Sequence, residues 1–193
     1  MKEQPFHIFY IKNMLCRCCI KQVESILLQN NYTIEYVHLG KISVSSHNFN
    51  EKELDKLLTN HGFGIIKDRD FILVEKIKQA VVELIHYSNN VDSIVRKSDY
   101  LVERLNMTYQ QISKTFSKYN SITLERYILL NKMERVKELV LQNEFTLSEI
   151  AYMMDFSSVH HLSSTFKKIA GVTVTEFKEN PSEYKRSIDE LLQ

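Results

Sequence analysis

From Leu124 to Gln142 apolar residues recur at Tyr127, Ile128, Leu130, Met133, Val136, Leu139 and Val140, with no glycine or proline among them. That spacing is the period of an α-helix, and nineteen residues at ~1.5 Å each span ~28 Å. Beyond it, Thr146 and Glu149 form a capping box, so a further helix begins near Leu147 with Ile150, Ala151 and Met154 inward. Asp155 ends that helix, because Asp tolerates left-handed backbone, and Phe156 follows as an apolar plug. Ser157 or Ser158 caps the next helix, whose inner face is Leu162, Phe166 and Ile169. Its outer face is Val159, His160, Ser163, Ser164 and Lys167, with His161 as half-buried support. Two short helices joined by a tight turn make a helix-turn-helix.

The pattern returns fifty positions earlier. Ile112-Ser-Lys-Thr-Phe116 aligns with Leu162-Ser-Ser-Thr-Phe166, and Thr123 with Thr173. Tyr100, Leu101, Val102 and Leu105 supply the first helix of this copy, Asn106 the turn, Met107 the plug and Thr108 the cap, with Gln111 closing a capping box. The turn of the second copy is one residue longer. A repeated supersecondary unit is an organisational signal that a single motif is not. The ~28 Å helix between the copies approaches the ~34 Å between successive major-groove faces of B-DNA.

Residues 92–178 resemble the two-motif DNA-binding domain of AraC-type transcriptional regulators, most specifically in Ile150-Ala151, Phe156-Ser157, Leu162-Ser163, Phe166-Lys167-Lys168, Gly171-Val172-Thr173 and Phe177. Asp155, Leu162, Val174 and Lys132 depart from the family's usual residues. The resemblance implies a cytoplasmic, sequence-specific transcriptional regulator whose partners are double-stranded promoter DNA and the transcription machinery. Base-edge candidates are the outward residues early in each second helix: Tyr109, Gln110, Ser113 and Lys114, then Val159, His160, Ser163 and Ser164. Gln pairs with adenine, Lys donates to guanine and Val packs on a thymine methyl. Thr108, Ser158, Lys118 and Lys168 are placed for phosphate, which fixes register without reading sequence.

The first seventy residues follow a different rhythm. Phe6–Ile11 alternates like a strand and Arg17–Gln29 reads as a helix; Thr33–Leu39 and Lys41–Ser46 form a hairpin about Gly40. Glu51–Asn60 is a second helix and Phe63–Ile66 a last strand. The order βαββαβ is that of a ferredoxin-like fold. With Met14-Leu-Cys16-Arg-Cys18-Cys19 before the first helix, this region resembles heavy-metal-associated domains of copper chaperones and transporters. The resemblance makes Cys16 and Cys19 candidate ligands for Cu(I) or Zn(II), with Cys18 either a third ligand or a bystander. A helix N-terminus with Arg17 alongside is expected to lower the thiol pKa and favour the thiolate.

The expected fold is thus an α+β ferredoxin-like domain (1–70), a connecting amphipathic helix (71–90), an all-α double helix-turn-helix domain (91–180) and a helical tail (181–193). Val74, Ile77, Val81, Leu84 and Ile85 stripe the connecting helix, which docks on its own domain or forms a homodimer. Ser88–Ser93 is a flexible joint.

Charge refines this picture. The net charge is +1, and both halves are near neutral, so local distribution matters. Thr108–Asn120 and Phe156–Thr175 each carry two lysines and no acid, which predicts modest DNA affinity with shallow salt dependence. No apolar run approaches the ~20 residues that span a bilayer, no signal-peptide pattern opens the chain, and three clustered cysteines suit a reducing compartment. No nucleophile–base pair, carboxylate pair or glycine-rich phosphate loop is present, so catalysis is not expected. The rival reading gives the main work to a soft-metal binding or chaperone-like site at Cys16 and Cys19, with the helical half as an interaction module.

Overall fold

A computed structural model of the chain describes residues 5–45, 49–87 and 97–181. The expected joint at Ser88–Ser93 and all but the first residue of the expected tail lie outside the described residues.

The first elements are β1 (His7–Lys12), α1 (Arg17–Gln29), β2 (Thr33–His38), β3 (Lys41–Ser45), α2 (Glu51–Thr59), β4 (Gly64–Ile66) and α3 (Arg69–Val82). The sheet runs β2-β3-β1-β4 with every neighbour antiparallel. Alternation decides its two faces. Ile11, Val37, Ile42 and Val44 point into a core with Val23, Ile26 and Leu27 of α1 and Leu54 and Leu58 of α2. Tyr10 lies opposite both Lys41 and Ile66, so these three share the other face, against which α3 lies at β1 and β4. The hairpin turns at Gly40, in left-handed backbone with φ +68°. The expected helix over 71–90, described as far as Tyr87, begins at Arg69 and stops being regular at Val82, widening into a single π turn over Glu83–Tyr87. The chain divides into two compact units, one holding residues up to Val82 with Glu103–Met107 and the other the remainder.

The later elements are α4 (Lys97–Leu105), α5 (Tyr109–Tyr119), α6 (Leu124–Gln142), α7 (Leu147–Met153), α8 (Val159–Ala170) and α9 (Val174–Glu179). α6 has the bounds its hydrophobic period predicts: Thr123 caps its start and Asn143, with φ +57°, ends it. Its buried residues meet α7, α8 and α9 in a second core: Met133, Val136, Leu139 and Val140 pack with Ile150, Ala151, Met154, Leu162, Phe166 and Phe177. Among the described residues no helix is long and apolar enough to cross a membrane.

Candidate nucleic-acid interface

Each recognition-helix candidate is positioned by a left-handed residue and a cap. Asn106 (φ +51°) precedes α5, and Asp155 (φ +57°) precedes α8. Both are among the few residues that accept this conformation without glycine. Lys132 of α6 braces the second turn, its ammonium 3.9 Å from the Asp155 carboxylate and 5.4 Å from the Phe156 ring centroid.

At α5, Thr108 Oγ1 accepts the Gln111 N–H at 3.3 Å, and Gln111 Oε1 accepts the Thr108 N–H at 3.0 Å. At α8, Ser158 Oγ accepts the His161 N–H at 3.1 Å. Both hydroxyls expected at phosphate are therefore engaged in holding helix ends. α7 and α9 open on boxes of the same kind, Thr146 with Glu149 and Thr173 with Glu176. Hydrogen bonds from the Thr146 backbone and side chain hold the Glu149 carboxyl below its ordinary range, and those from Thr173 do the same to Glu176.

Burial repeats with the sequence. From Tyr109 to Tyr119 and from Val159 to Ile169 the order of buried, half-buried and exposed positions is identical. Ile112 and Phe116 correspond to Leu162 and Phe166 as the buried residues. The aromatic partner recurs too: Phe116 packs on Tyr127 with ring centroids 5.1 Å apart, and Phe166 on Phe177 at 5.6 Å.

The outward residues differ. In the first motif Gln110, Lys114 and Lys118 are exposed, but Tyr109 and Ser113 are half-buried. The Tyr109 hydroxyl donates to Glu125 Oε1 at 3.1 Å and Ser113 Oγ to the same oxygen at 3.4 Å. Burial, and then the Glu125 charge, push the Tyr109 phenol up to about 12. Its own backbone N–H, with donors from Tyr109, Thr123 and Ser113, holds Glu125 below the usual carboxylate range. An acid therefore stands at the α5 face although α5 contains none. Glu125 was missed because it enters from the first turn of the next helix, and counting charges along α5 gives no sign of it.

In the second motif His160, Ser164 and Lys168 are exposed. Ser164 Oγ donates to the His161 carbonyl at 3.1 Å, Ser163 is half-buried, and Val159 packs at the edge of the second core rather than standing free. His161, expected half-buried, is exposed. Its ring meets Phe156 edge-on at 5.4 Å and its Nδ1 lies 3.0 Å from Ser157 Oγ, covering the apolar plug from outside.

These capped, repeated helices have counterparts in known proteins. Residues 101–180 match a family described as a helix-turn-helix domain. The C-terminal half is an AraC-type helix-turn-helix domain. The xylose operon regulatory protein of Escherichia coli strain K12 is 25% identical over 104 residues, 54% of this chain and 26% of that protein. A probable transcriptional regulator, LumQ, of Photobacterium leiognathi is 21% identical over 113 residues, 57% of this chain and 46% of that protein. The chain thus spans less than half the length of either regulator. Among solved structures, the C-terminal domain of the response regulator AraT from Geobacillus stearothermophilus is 25% identical with a TM-score of 0.46, over 62% of this chain and 95% of that one. A helix-turn-helix domain over residues 101–180 does not favour the rival reading, in which the helical half is an interaction module beside a soft-metal binding or chaperone-like site.

The cysteine pair lies in the other unit. Cys16 is the N-cap of α1, its Sγ accepting the Cys19 N–H at 3.4 Å, and the two sulfurs are 3.1 Å apart. Cys18 is exposed. Burial pushes the Cys19 thiol up, aided by its hydrogen bond with Cys16, opposite to the expected lowering; desolvation outweighs the helix terminus. Two adjacent thiols fit the low-coordinate Cu(I) ion, which soft sulfur ligands favour. Among the described residues no group of three or more donors forms, so the four ligands of a structural Zn(II) site are not assembled there. Met14 is fully buried in the first core, where it packs rather than ligates.

Proposed function

We propose that the chain is a sequence-specific, DNA-binding transcriptional regulator that offers α5 and α8 to successive major grooves. The carrying observation is the pair of recognition helices with identical burial order, on either side of the nineteen-residue α6, inside the span that matches the helix-turn-helix family. Gln110, Lys114, His160 and Ser164 are the base-edge residues, being exposed and early in their helices. Lys118 and Lys168 contact phosphate. Sequences selected from a random DNA library should contain two half-sites about one helical turn apart. Enrichment of no sequence at physiological salt would overturn the reading.

The N-terminal unit fits a ferredoxin-like domain of the heavy-metal-associated kind, a reading supported by the order β2-β3-β1-β4 and by both α1 and α2 packing on one face. A role for that unit in sensing a soft metal or thiol oxidation, and so altering DNA binding, is supported by the 3.1 Å sulfur pair: Cys16 and Cys19 would hold Cu(I), or lose two electrons and two protons to an external oxidant and close to a disulfide. Competitive Cu(I) titration should give tight uptake by the wild type and none by Cys16→Ser, and equal uptake by both would remove the metal reading.

A further inference from the structure

The face of the sheet that carries Tyr10, Lys41 and Ile66 holds a cleft of about 220 Å³ beneath α3. We propose that this cleft binds a small organic anion, a carboxylate on a compact apolar or aromatic body.

Charge supports an anion. The Lys41 and Lys76 ammoniums lie 6.0 and 5.7 Å from the Tyr10 ring centroid, and among the described residues neither has a carboxylate partner. The cleft has one acid, Glu75, which is 6% exposed. Its carboxylate is already engaged, by Lys78 at 2.8 Å and by the Asn13 N–H at 3.0 Å. The lysines facing the cleft are therefore not neutralised from within it. Tyr10 and Lys76 also line an adjacent hollow to which Arg69 contributes a further cation.

Shape selects a small ligand. A Cβ on Gly40 would stand 1.9 Å from Gln79 Nε2, so only the glycine, already required by its φ of +68°, lets that amide sit against the hairpin turn. Gln79 is half-buried, and no hydrogen bond engages its amide among the described residues; a ligand oxygen would satisfy it. Ile66 and Ile72 provide an apolar wall. At about 220 Å³ the space falls below the ~300–1,000 Å³ of drug-sized sites and suits a metabolite. A polyanion fits less well, because Asp68 and Asp70 stand exposed at the start of α3 and would repel neighbouring phosphates.

The test is a ¹H–¹⁵N NMR titration of the full chain with benzoate and with hexanoate, using benzamide as the uncharged control. Saturable shifts at Tyr10, Gly40 and Gln79 are expected with at least one carboxylate, and benzamide should bind about tenfold more weakly or worse. Lys41→Met with Lys76→Met should abolish the shifts, Lys76→Gln alone should weaken them, and Lys52→Gln, on exposed α2 surface, should leave them intact. The proposal is overturned if neither carboxylate gives saturable shifts at millimolar concentration. It is equally overturned if benzamide binds as well, or if Lys76→Gln and the double variant bind like the wild type. DNA selection is independent of this outcome, so the two readings fail separately.

Discussion

Along α5 and α8 the same positions are buried, Ile112 and Phe116 against Leu162 and Phe166, yet their outer faces have diverged. In the first motif Glu125 gathers Tyr109 and Ser113. The position fifty residues on is Thr175, exposed in the first turn of α9; the acid of that turn, Glu176, is taken up by the Thr173 cap and reaches the second motif only through its charge on Lys167. A packed core constrains spacing and side-chain volume, whereas the outer face is free to acquire its charge from a neighbouring helix. The caps diverge likewise: the first motif's box is closed by neutral Gln111, while α7 and α9 are closed by Glu149 and Glu176.

The sharpest way to break the equivalence of the cores is to empty them. Phe116→Ala and Phe166→Ala should each cost about 3–5 kcal/mol, read by urea denaturation of the helical unit. A cost confined to one of them would show that the motifs are not energetically matched.

Next in size is the charge at the faces. Glu125→Gln should tighten DNA binding about two- to fivefold at low salt, and Thr175→Glu should weaken it by a similar factor. Fluorescence anisotropy across a salt series measures both, and the differences should shrink as salt rises. Identical affinities at low salt would mean that Glu125 does not face the nucleic acid.

The same pair gives an alkaline signature. With its folded pKa raised to about 12, Tyr109 keeps its proton above the pH where the unfolded chain loses it, so its contribution to stability falls as pH rises from about 10 to about 12. Subtracting the 295 nm titration of Tyr109→Phe from that of the wild type should isolate a late phenol. In Glu125→Gln that phenol should titrate earlier.

The smallest effect concerns the caps. Glu149 and Glu176 have lowered folded pKa values, so their contribution is complete above the ordinary carboxylate pKa and is lost as pH falls through the folded value. Glu149→Gln with Glu176→Gln should flatten the acid limb of a stability–pH curve. Gln111→Glu should steepen it, giving the first motif the pH response of the second.

Much of the helical half was legible because its signals are local. Thr146 with Glu149, Thr108 with Gln111, Asn106 and Asp155 at the turns and the period of Leu124–Gln142 each act within a few residues. The strands were legible from alternation, with ends displaced by a residue or so. What escaped depends on distance in sequence or on burial. Glu125 reaches Tyr109 across sixteen positions, and the Cys19 thiol is governed by its surroundings rather than by its place near a helix terminus. His161 covers Phe156 from outside, where helix spacing alone had turned it inward. The π turn at Glu83–Tyr87 follows a run without glycine or proline, so nothing in the pattern marks it.

The unbroken α6 has an engineering consequence. Adding one residue to it would turn whatever follows by ~100° and advance it ~1.5 Å, so a single insertion there would throw the two proposed reading helices out of phase while leaving each intact. Recognition helices could be exchanged like bits in a tool holder, since Phe116 with Tyr127 and Phe166 with Phe177 offer sockets of one pattern. The holder itself has a fixed gauge.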